Sequence, residues 1–231
     1  MVKIITVYGN MLLTAMGRTL LLAFLGLVFA CILGMIFGLL SVLKNKACNI
    51  ISNIFVFVIR GVPMIVLAFF IYFGIPYLIN TILGFGGGFT LSALQAGTIC
   101  LALNCGAYMA EIIRSGIQSV DKGQNEAAMS LGMTTMQTLM YVVFPQAIKN
   151  SFPSIGNQLI VNIKDSSMLN VITVTELYFQ TTSVAGSNYR VMETFLVSAI
   201  LYLILTTLAS FLLNYLEKRM DSESSMKDFC S

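Results

Sequence analysis

Two otherwise apolar segments each carry polar residues at helical spacing, and such residues can form hydrogen bonds with a polar solute inside a membrane. In the later segment the spacing i, i+4, i+8 and i+11 sets four of them on one helical face, and they are Ser154, Gln158, Asn162 and Asp165. In the earlier segment the spacing i, i+4 and i+7 does the same for Asn104, Tyr108 and Glu111. Two such faces across a dimer axis would form a hydrophilic path. The alternative is hydrogen bonding between helices, which the same residue types provide in membranes.

The ionisable residues and the neutral polar residues of these segments favour different roles. Charges at membrane depth are costly and usually functional, so Asp165 and its neighbour Lys164 favour a functional role. As sequence neighbours they point to different sides of a helix and do not satisfy only each other. Asn157 lies beside the stripe, and Ser166 follows it. For the amides and serines, hydrogen bonding between helices is slightly favoured.

Glu111 and Arg60 also have structural interpretations. Glu111 has Arg114 three residues on, and an ion pair within one helix is favoured for it. Arg60 can extend its side chain to the inner membrane interface. The sequence contains no histidine, which removes the commonest general base and metal ligand. A membrane-embedded enzyme is therefore an unfavoured alternative, since an aspartate-based site would have to pair Asp165 with a carboxylate on another span.

The elements that position these residues follow from composition. The chain has 231 residues, of which 10% are charged, and a mean hydropathy of +0.87. About 20 uncharged residues suffice to cross a bilayer as a helix. We predict an all-α integral membrane protein with a permease domain over 1–218, a cytoplasmic tail over 219–231, and five spans. The spans are 19–43, 51–77, 91–113, 153–170 and 192–215, with 4–18 as an interfacial lead-in.

Breaks between these spans follow from glycine and proline. Four glycines between Gly84 and Gly88 end the second span, because their backbone entropy disfavours a helix. Pro145 and Pro153 are expected to bracket a turn or kink before the fourth span. Scattered cysteines, including Cys100 and Cys105 within apolar runs, are interpreted as small buried hydrophobic residues.

Lysine and arginine mark the cytoplasmic side of a membrane protein. They follow spans one, three and five, as Lys44, Lys46, Arg114, Lys122, Lys149, Lys218, Arg219 and Lys227. The loops after spans two and four, over 78–90 and 171–189, contain none. Only Lys3, Arg18 and Arg190 oppose the bias. The N-terminus is therefore predicted outside and the C-terminus inside, with the loop over 114–150 in the cytoplasm.

Within this loop the sequence predicts a short helix between two breaks. Asp121 followed by Gln124 is typical of a helix start, and Gly132 is placed to end the helix in a left-handed conformation. Thr134 with Gln137 then indicates the start of a second helix. From physical chemistry alone, a docking helix and an ordinary amphipathic surface helix remain equally favoured.

The spacing of this segment resembles the EAA loop of bacterial ABC-importer permeases, EAA-x3-G-x9-I-x-L-P. The matching residues are Glu126, Ala127, Ala128, Gly132 and, after nine more residues, the run from Val142 to Pro145. Val142 and Phe144 replace Ile and Leu, both mild apolar changes. A channel or permease outside the ABC class, the other alternative, would have no use for this spaced loop.

Three further stretches resemble permeases of the polar amino acid group (histidine, glutamine, glutamate, arginine and opines). The second span begins with Arg60, Gly61 and Pro63 in the run RGVP, where Val62 departs from a usually small polar residue. The run from Tyr108 to Gln124 is similar to YxAExxRxGIxSVxxGQ, and the run VNIKDSSML, over 161–169, is similar to the LKDTSL segment. The likeness covers essentially the whole chain.

The resemblance implies a type I ABC importer permease in a bacterial inner membrane. Its loop would dock as a coupling helix on a separate ATPase subunit, where ATP and Mg²⁺ bind. ATP-driven closure would then turn a pair of permeases, the same or homologous, from inward- to outward-facing. An extracytoplasmic binding protein would deliver the amino acid. The chain itself has no GxxxxGK[ST] motif, and we expect no cofactor, no catalysis and no nucleic acid binding by it.

Overall fold

The computed structural model describes residues 2–43, 45–82, 84 and 88–228, with side chains from Lys3 to Arg219. Lys44 and part of the glycine-rich break, residues 83 and 85–87, lie outside the described residues, as do 229–231. Every regular element within the described ranges is helical. The α-helices are α1 (Val2–Val42), α2 (Lys46–Gly61), α3 (Met64–Phe69), α4 (Ile75–Ile82), α5 (Ala93–Gln118), α6 (Lys122–Ser130), α7 (Thr135–Thr138), α8 (Phe144–Asp165), α9 (Leu177–Asn188) and α10 (Val191–Asp228).

Four helical segments among the described residues are long and apolar enough to cross a membrane, namely Lys3–Val42, Met64–Ile82, Ala93–Gln118 and Val191–Arg219. The all-α membrane architecture is as predicted. α8 is not one of the four, because the polar residues along it lower its hydropathy.

The first segment differs from the sequence prediction. An interfacial lead-in before residue 19 was expected, but α1 is one continuous helix of 41 residues. Arg18 does not interrupt it, because its guanidinium donates to the carbonyl and hydroxyl oxygens of Thr175. Because the charge of Arg18 has these hydrogen-bond partners, the residue is accommodated within the helix.

The second segment is broken where one helix over 51–77 was expected. α2 ends at Gly61, and Val62 is extended at φ −99° and ψ 130°. The cause is Pro63, because proline lacks an N–H and disfavours a helical conformation in the residue before it. The chain then continues as α3, a π-helical turn over Phe70–Gly74, and α4.

The region at the end of the predicted loop over 114–150 also corrects the prediction. Pro145 and Pro153 do not bracket a turn, because Pro145 lies in the first turn of α8 and Pro153 lies inside that helix. A π-helical turn, Leu139–Val143, joins α7 directly to α8. α8 is followed by a 3₁₀ helix, Ser166–Ile172, and then by α9 within the expected loop 171–189.

Close packing of glycines holds the central helices together. Gly34 and Gly38 of α1 lie directly against Met109 and Ile113 of α5. Gly116, nearer the end of α5, lies against Ser151 of α8. Small residues allow such contacts between membrane helices. α5 is thereby fixed between α1 and α8, and the polar faces of α5 and α8 are set in register.

A buried carboxylate joins α9 to this bundle. Glu176 is fully buried and accepts hydrogen bonds from the backbone N–H groups of Tyr178 and Phe179 and from the Tyr202 hydroxyl. The backbone N–H of Leu177 donates to the hydroxyl of buried Thr19 on α1. The start of α9 is thus attached to both α1 and α10.

Candidate functional site

The segment with the EAA spacing forms the predicted short helix. Asp121 Oδ1 accepts from the Gly123 N–H at 2.7 Å at the start of α6. Gly132 ends it in the left-handed region at φ +85°. Thr134 and Gln137 then form a reciprocal capping pair at the start of α7. Both helix starts and the role of Gly132 are as predicted, although the Asp121 side chain contacts Gly123 rather than Gln124.

The two alanines of this helix face opposite environments. Ala128 is buried in a helix that packs against α7 and the π-helical turn Leu139–Val143, whereas Glu126 and Ala127 are exposed. Gly132 and Pro145 are also exposed. Because α6 turns about 100° per residue, Ala128 anchors the helix while its neighbours face away from the chain.

Large apolar side chains surround this outward face. They are exposed by 45–85% of their surface, and they are Met129, Leu131, Met136 and Tyr141. Met133, in the turn after α6, is half-buried. An exposed apolar patch around a small-residue helix is suited to contact with another protein.

A polar cleft of about 390 Å³ lies between α5, α8 and the end of α2. Arg60 reaches into it from α2, and its guanidinium carbon lies 4.8 Å from the centre of the Tyr108 ring. Glu111 faces the same cleft and pairs loosely with Arg114 at 3.7 Å. Ser154 and Gln158 of α8 line the opposite wall. The cleft therefore presents one cation, one anion and several neutral polar groups.

The structure divides the predicted stripe on α8 between two roles. Ser154 and Gln158 line the cleft, but Asn162 is 1% exposed and donates from Nδ2 to the Ala23 carbonyl of α1 at 3.4 Å. For Asn162, hydrogen bonding between helices is the observed role. Its Oδ1 atom has no partner among the described residues. Asp165, one turn further, is half-buried.

The remaining predicted residues lie around these two regions. Lys164 and Asn157 are exposed on α8, whereas Ser166 is buried and donates to the Ile163 carbonyl. Asn104 is half-buried, with Nδ2 at 3.9 Å from Met64 Sδ. Gly61 and Pro63 lie exposed at the break between α2 and α3, beside Arg60. They set the direction of Arg60 rather than line the cleft.

Three polar residues on α10 were not predicted as site residues from the sequence. Ser210, Asn214 and Glu217 line a second polar groove of about 350 Å³ together with Asn157 of α8. Their spacing of i, i+4 and i+7 is the same signal that marked the stripe on α5. They went unnoticed because the run around them is strongly apolar. Within the described residues, no three His, Cys, Asp or Glu side chains cluster as a metal site.

Comparison with known proteins agrees with this arrangement. Residues 30–222 match the family model "binding-protein-dependent transport system inner membrane component". The glutamine transport system permease protein GlnP of Escherichia coli (strain K12) is 38% identical over 172 residues, which cover 74% of this chain and 75% of the relative. The probable glutamine ABC transporter permease protein GlnM of Bacillus subtilis (strain 168) is 40% identical over 163 residues, or 71% of each chain.

Solved structures support the same assignment. A crystal structure of an amino acid ABC transporter with histidines has a TM-score of 0.81 at 37% identity, covering 92% of this chain and 95% of that one. An inward-facing structure of the MetNI methionine ABC transporter has a TM-score of 0.74 at 20% identity over 91% of this chain and 96% of that one, and it supports the fold alone. The chain belongs to the inner-membrane components of binding-protein-dependent transport systems and is a multi-pass permease subunit of an amino-acid ABC importer.

Proposed function

We propose that this chain, paired with a second permease subunit, forms the membrane pathway for glutamine or a closely related polar amino acid. The observation that carries the proposal is the exposed polar face of α8, a helix that lies within a bundle of apolar spans. Polar side chains that face lipid are costly, so this face needs water or protein opposite it. A substrate path between two permeases supplies both.

α8 would be the fifth span of this arrangement. It has 22 residues, which at about 1.5 Å per residue is long enough for the hydrocarbon core. It also packs along α5 at several levels, from Gly116 with Ser151 to Cys105 with Gln158. With five spans and the cytoplasmic cations, the N-terminus would lie outside and the C-terminus inside.

The cleft between α5 and α8 suits an amino acid in chemical terms. Arg60 offers a guanidinium for the α-carboxylate, and Glu111 offers a carboxylate for the α-ammonium group. Gln158 and Ser154 offer hydrogen bonds to a polar side chain. Asp165 and Lys164 would contact the solute further along the helix. Glutamine is favoured because the GlnP and GlnM permeases are relatives.

The exposed face of α6 would dock on the ATPase subunit, which binds ATP and Mg²⁺. Glu126, Ala127 and the left-handed Gly132 are exposed, so another protein can approach this helix without moving the chain. The π-helical turn Leu139–Val143 connects α7 directly to α8. Motion of the docked α6 would reach α7 through the turn over 131–134 and then pass to α8 through this helical connection.

Transport by the reconstituted complex tests this proposal. The chain would be assembled in vesicles with its ATPase and extracytoplasmic binding protein, and uptake of labelled glutamine would be measured with and without ATP. A panel of other amino acids, each also tested for thermal stabilisation of the binding protein, fixes the substrate. Uptake that requires ATP and the binding protein is expected. Uptake that is independent of ATP would overturn the proposal.

A further inference from the structure

The side chain of Gln158 lines the polar cleft with one end of its amide already engaged. Gln158 is half-buried on α8. The fully buried thiol of Cys105 on α5 donates to its Oε1 atom, with Sγ 3.8 Å from Oε1. Within the described part of the chain, the Nε2 group of Gln158 has no hydrogen-bond partner. This donor is therefore available to a solute in the cleft.

The amide of Asn162 explains why the thiol is the donor in this contact. Asn162 Nδ2 donates to the Ala23 carbonyl of α1 at 3.4 Å, and a carbonyl oxygen can accept only from the N–H side of an amide. The Asn162 side chain also forms a hydrogen bond with the Cys105 thiol. Since Asn162 Oδ1 has no partner among the described residues, the second Nδ2 hydrogen makes this bond and the sulfur accepts it. The S–H group of Cys105 is then directed to Gln158.

These contacts form a chain of hydrogen bonds with a fixed direction from α1 to the cleft. A reversed Gln158 amide would place an N–H group against the S–H group of Cys105, and neither group would have an acceptor there. Such unmade hydrogen bonds are costly in buried surroundings, and Cys105 and Asn162 are 0% and 1% exposed. Groups outside the cleft therefore determine which end of the Gln158 amide faces the solute.

We propose that Cys105 is a positioning residue that holds the Nε2 donor of Gln158 toward the cleft, so that the pathway favours amino acids whose side chain carries a hydrogen-bond acceptor. The side-chain carbonyl of glutamine is such an acceptor, whereas the ammonium group of lysine offers only donors. A site built to hydrogen-bond one group disfavours an analogue that leaves its polar groups unpaired. This inference rests on the solute pathway of the proposed function and names the class of side chain that the pathway selects.

Equilibrium binding to the permease–ATPase complex in nanodiscs, without the extracytoplasmic binding protein, measures this selection directly. Labelled glutamine and labelled lysine are compared on the original chain, on Cys105→Ala and on Cys105→Ser. In Cys105→Ala the Gln158 amide is free to turn over, so the preference for glutamine over lysine should fall roughly three- to tenfold, as expected for one hydrogen bond. Cys105→Ser retains a donor and should keep the preference.

Cys100→Ala is the matched control. Cys100 is also fully buried on α5, but its thiol donates to the Met64 carbonyl at 3.7 Å and does not line the cleft. The same atom is removed from the same helix, so the preference for glutamine should be unchanged. Equal losses of preference in Cys100→Ala and Cys105→Ala would reveal a general effect of helix packing and would overturn the positioning role.

The infrared S–H stretching band gives a readout that a purely structural role would not change. In a purified chain in which the other four of its five cysteines are replaced by alanine, only Cys105 contributes this band. A donated S–H group absorbs at lower frequency than a free one. Gln158→Leu removes the acceptor and should move the band to higher frequency. A band that stays in place would contradict the contact between the thiol and the amide.

The remaining outcomes separate this inference from the proposed function. An unchanged preference in Cys105→Ala, or no binding of either amino acid to the original complex, overturns selection by Gln158. ATP-dependent uptake of glutamine into reconstituted vesicles is measured on the same variants. If uptake persists while the preference is unchanged, this inference fails and the proposed function stands. If uptake by the original chain does not require ATP, both fail.

Discussion

Gly34 of α1 lies directly against Met109 of α5, so close that a Cβ atom at position 34 would collide with the Met109 Cβ. The neighbouring contact, Gly38 with Ile113, is almost as close, since a Cβ there would lie 2.9 Å from the Ile113 Cβ. The two contacts lie one helical turn apart. They fix how near α1 can approach α5, and α5 in turn positions one wall of the polar cleft.

This contact predicts a position-specific effect of alanine along α1. Gly34→Ala should destabilise the purified protein by about 1–3 kcal/mol, because neither backbone can move away without disturbing the bundle. Gly17→Ala is the control, since nothing lies within 4 Å of a Cβ at that position. It should be neutral or stabilising by up to about 1 kcal/mol. Thermal unfolding in detergent measures both, and equal midpoints would contradict the tight contact.

The buried carboxylate of Glu176 predicts a second effect on stability. Glu176→Ala removes the acceptor for two backbone N–H groups and for the Tyr202 hydroxyl. We expect it to destabilise the protein by about 3 kcal/mol. Tyr202→Phe removes only one of these bonds and should cost about 1–2 kcal/mol. If the two variants have equal unfolding midpoints, the cap at the start of α9 contributes nothing.

The parts of this fold that could be predicted depend on interactions between residues that are close in sequence. Asp121, Gly132 and Thr134 act through their own backbone neighbours, so capping chemistry predicted both helix starts and the left-handed glycine. Asn162 belongs to the same stripe as Gln158, but it turns inward because the Ala23 carbonyl of α1 lies opposite it. The inward orientation of Asn162 depends on which helix packs against α8, and a single sequence does not specify that packing.

The corrected elements have the same explanation. α9 was interpreted as a loop because its marker is the N-cap Glu176, whose side-chain partner Tyr202 on α10 is distant in sequence. The break at Pro63 could have been found from proline chemistry alone. It was missed because the apolar run continues on both sides and resembles one uninterrupted span.

The left-handed conformation of Gly132 predicts which substitutions the turn between α6 and α7 tolerates. No atom lies within 4 Å of a Cβ at this position, so the constraint is φ rather than space. Gly132→Asn should retain most uptake and ATPase activity, because asparagine tolerates this region. Gly132→Val should lose both, because a β-branched residue there would force the turn to rearrange. Equal activity of the two variants would show that the turn is unimportant for coupling.

The charged pair on α8 predicts a difference between two neighbours. Asp165 is half-buried and Lys164 is exposed. If Asp165 contacts the solute, Asp165→Asn should lower the rate of uptake by roughly tenfold or more, the loss expected for a hydrogen bond to a charged group. Assembly with the ATPase should be normal. Lys164→Gln removes the charge of the adjacent, exposed residue and should lower uptake less than Asp165→Asn does. Unchanged uptake kinetics for Asp165→Asn would remove it from the pathway.

Substitutions of the two alanines of α6 distinguish an effect on docking of the ATPase from an effect on folding. Ala128 is 4% exposed, whereas Ala127 is exposed. Ala128→Leu should destabilise the protein by about 1–3 kcal/mol, because the added atoms have no space. Ala127→Leu should leave its unfolding within about 0.5 kcal/mol of the original, yet reduce recovery of the ATPase subunit and lower ATP hydrolysis in the complex. The two changes add the same atoms one residue apart. If Ala127→Leu is stable but loses binding of the ATPase, the loss therefore comes from the outward face of α6. Normal ATPase recovery and normal hydrolysis with Ala127→Leu would show that this face is not the docking surface.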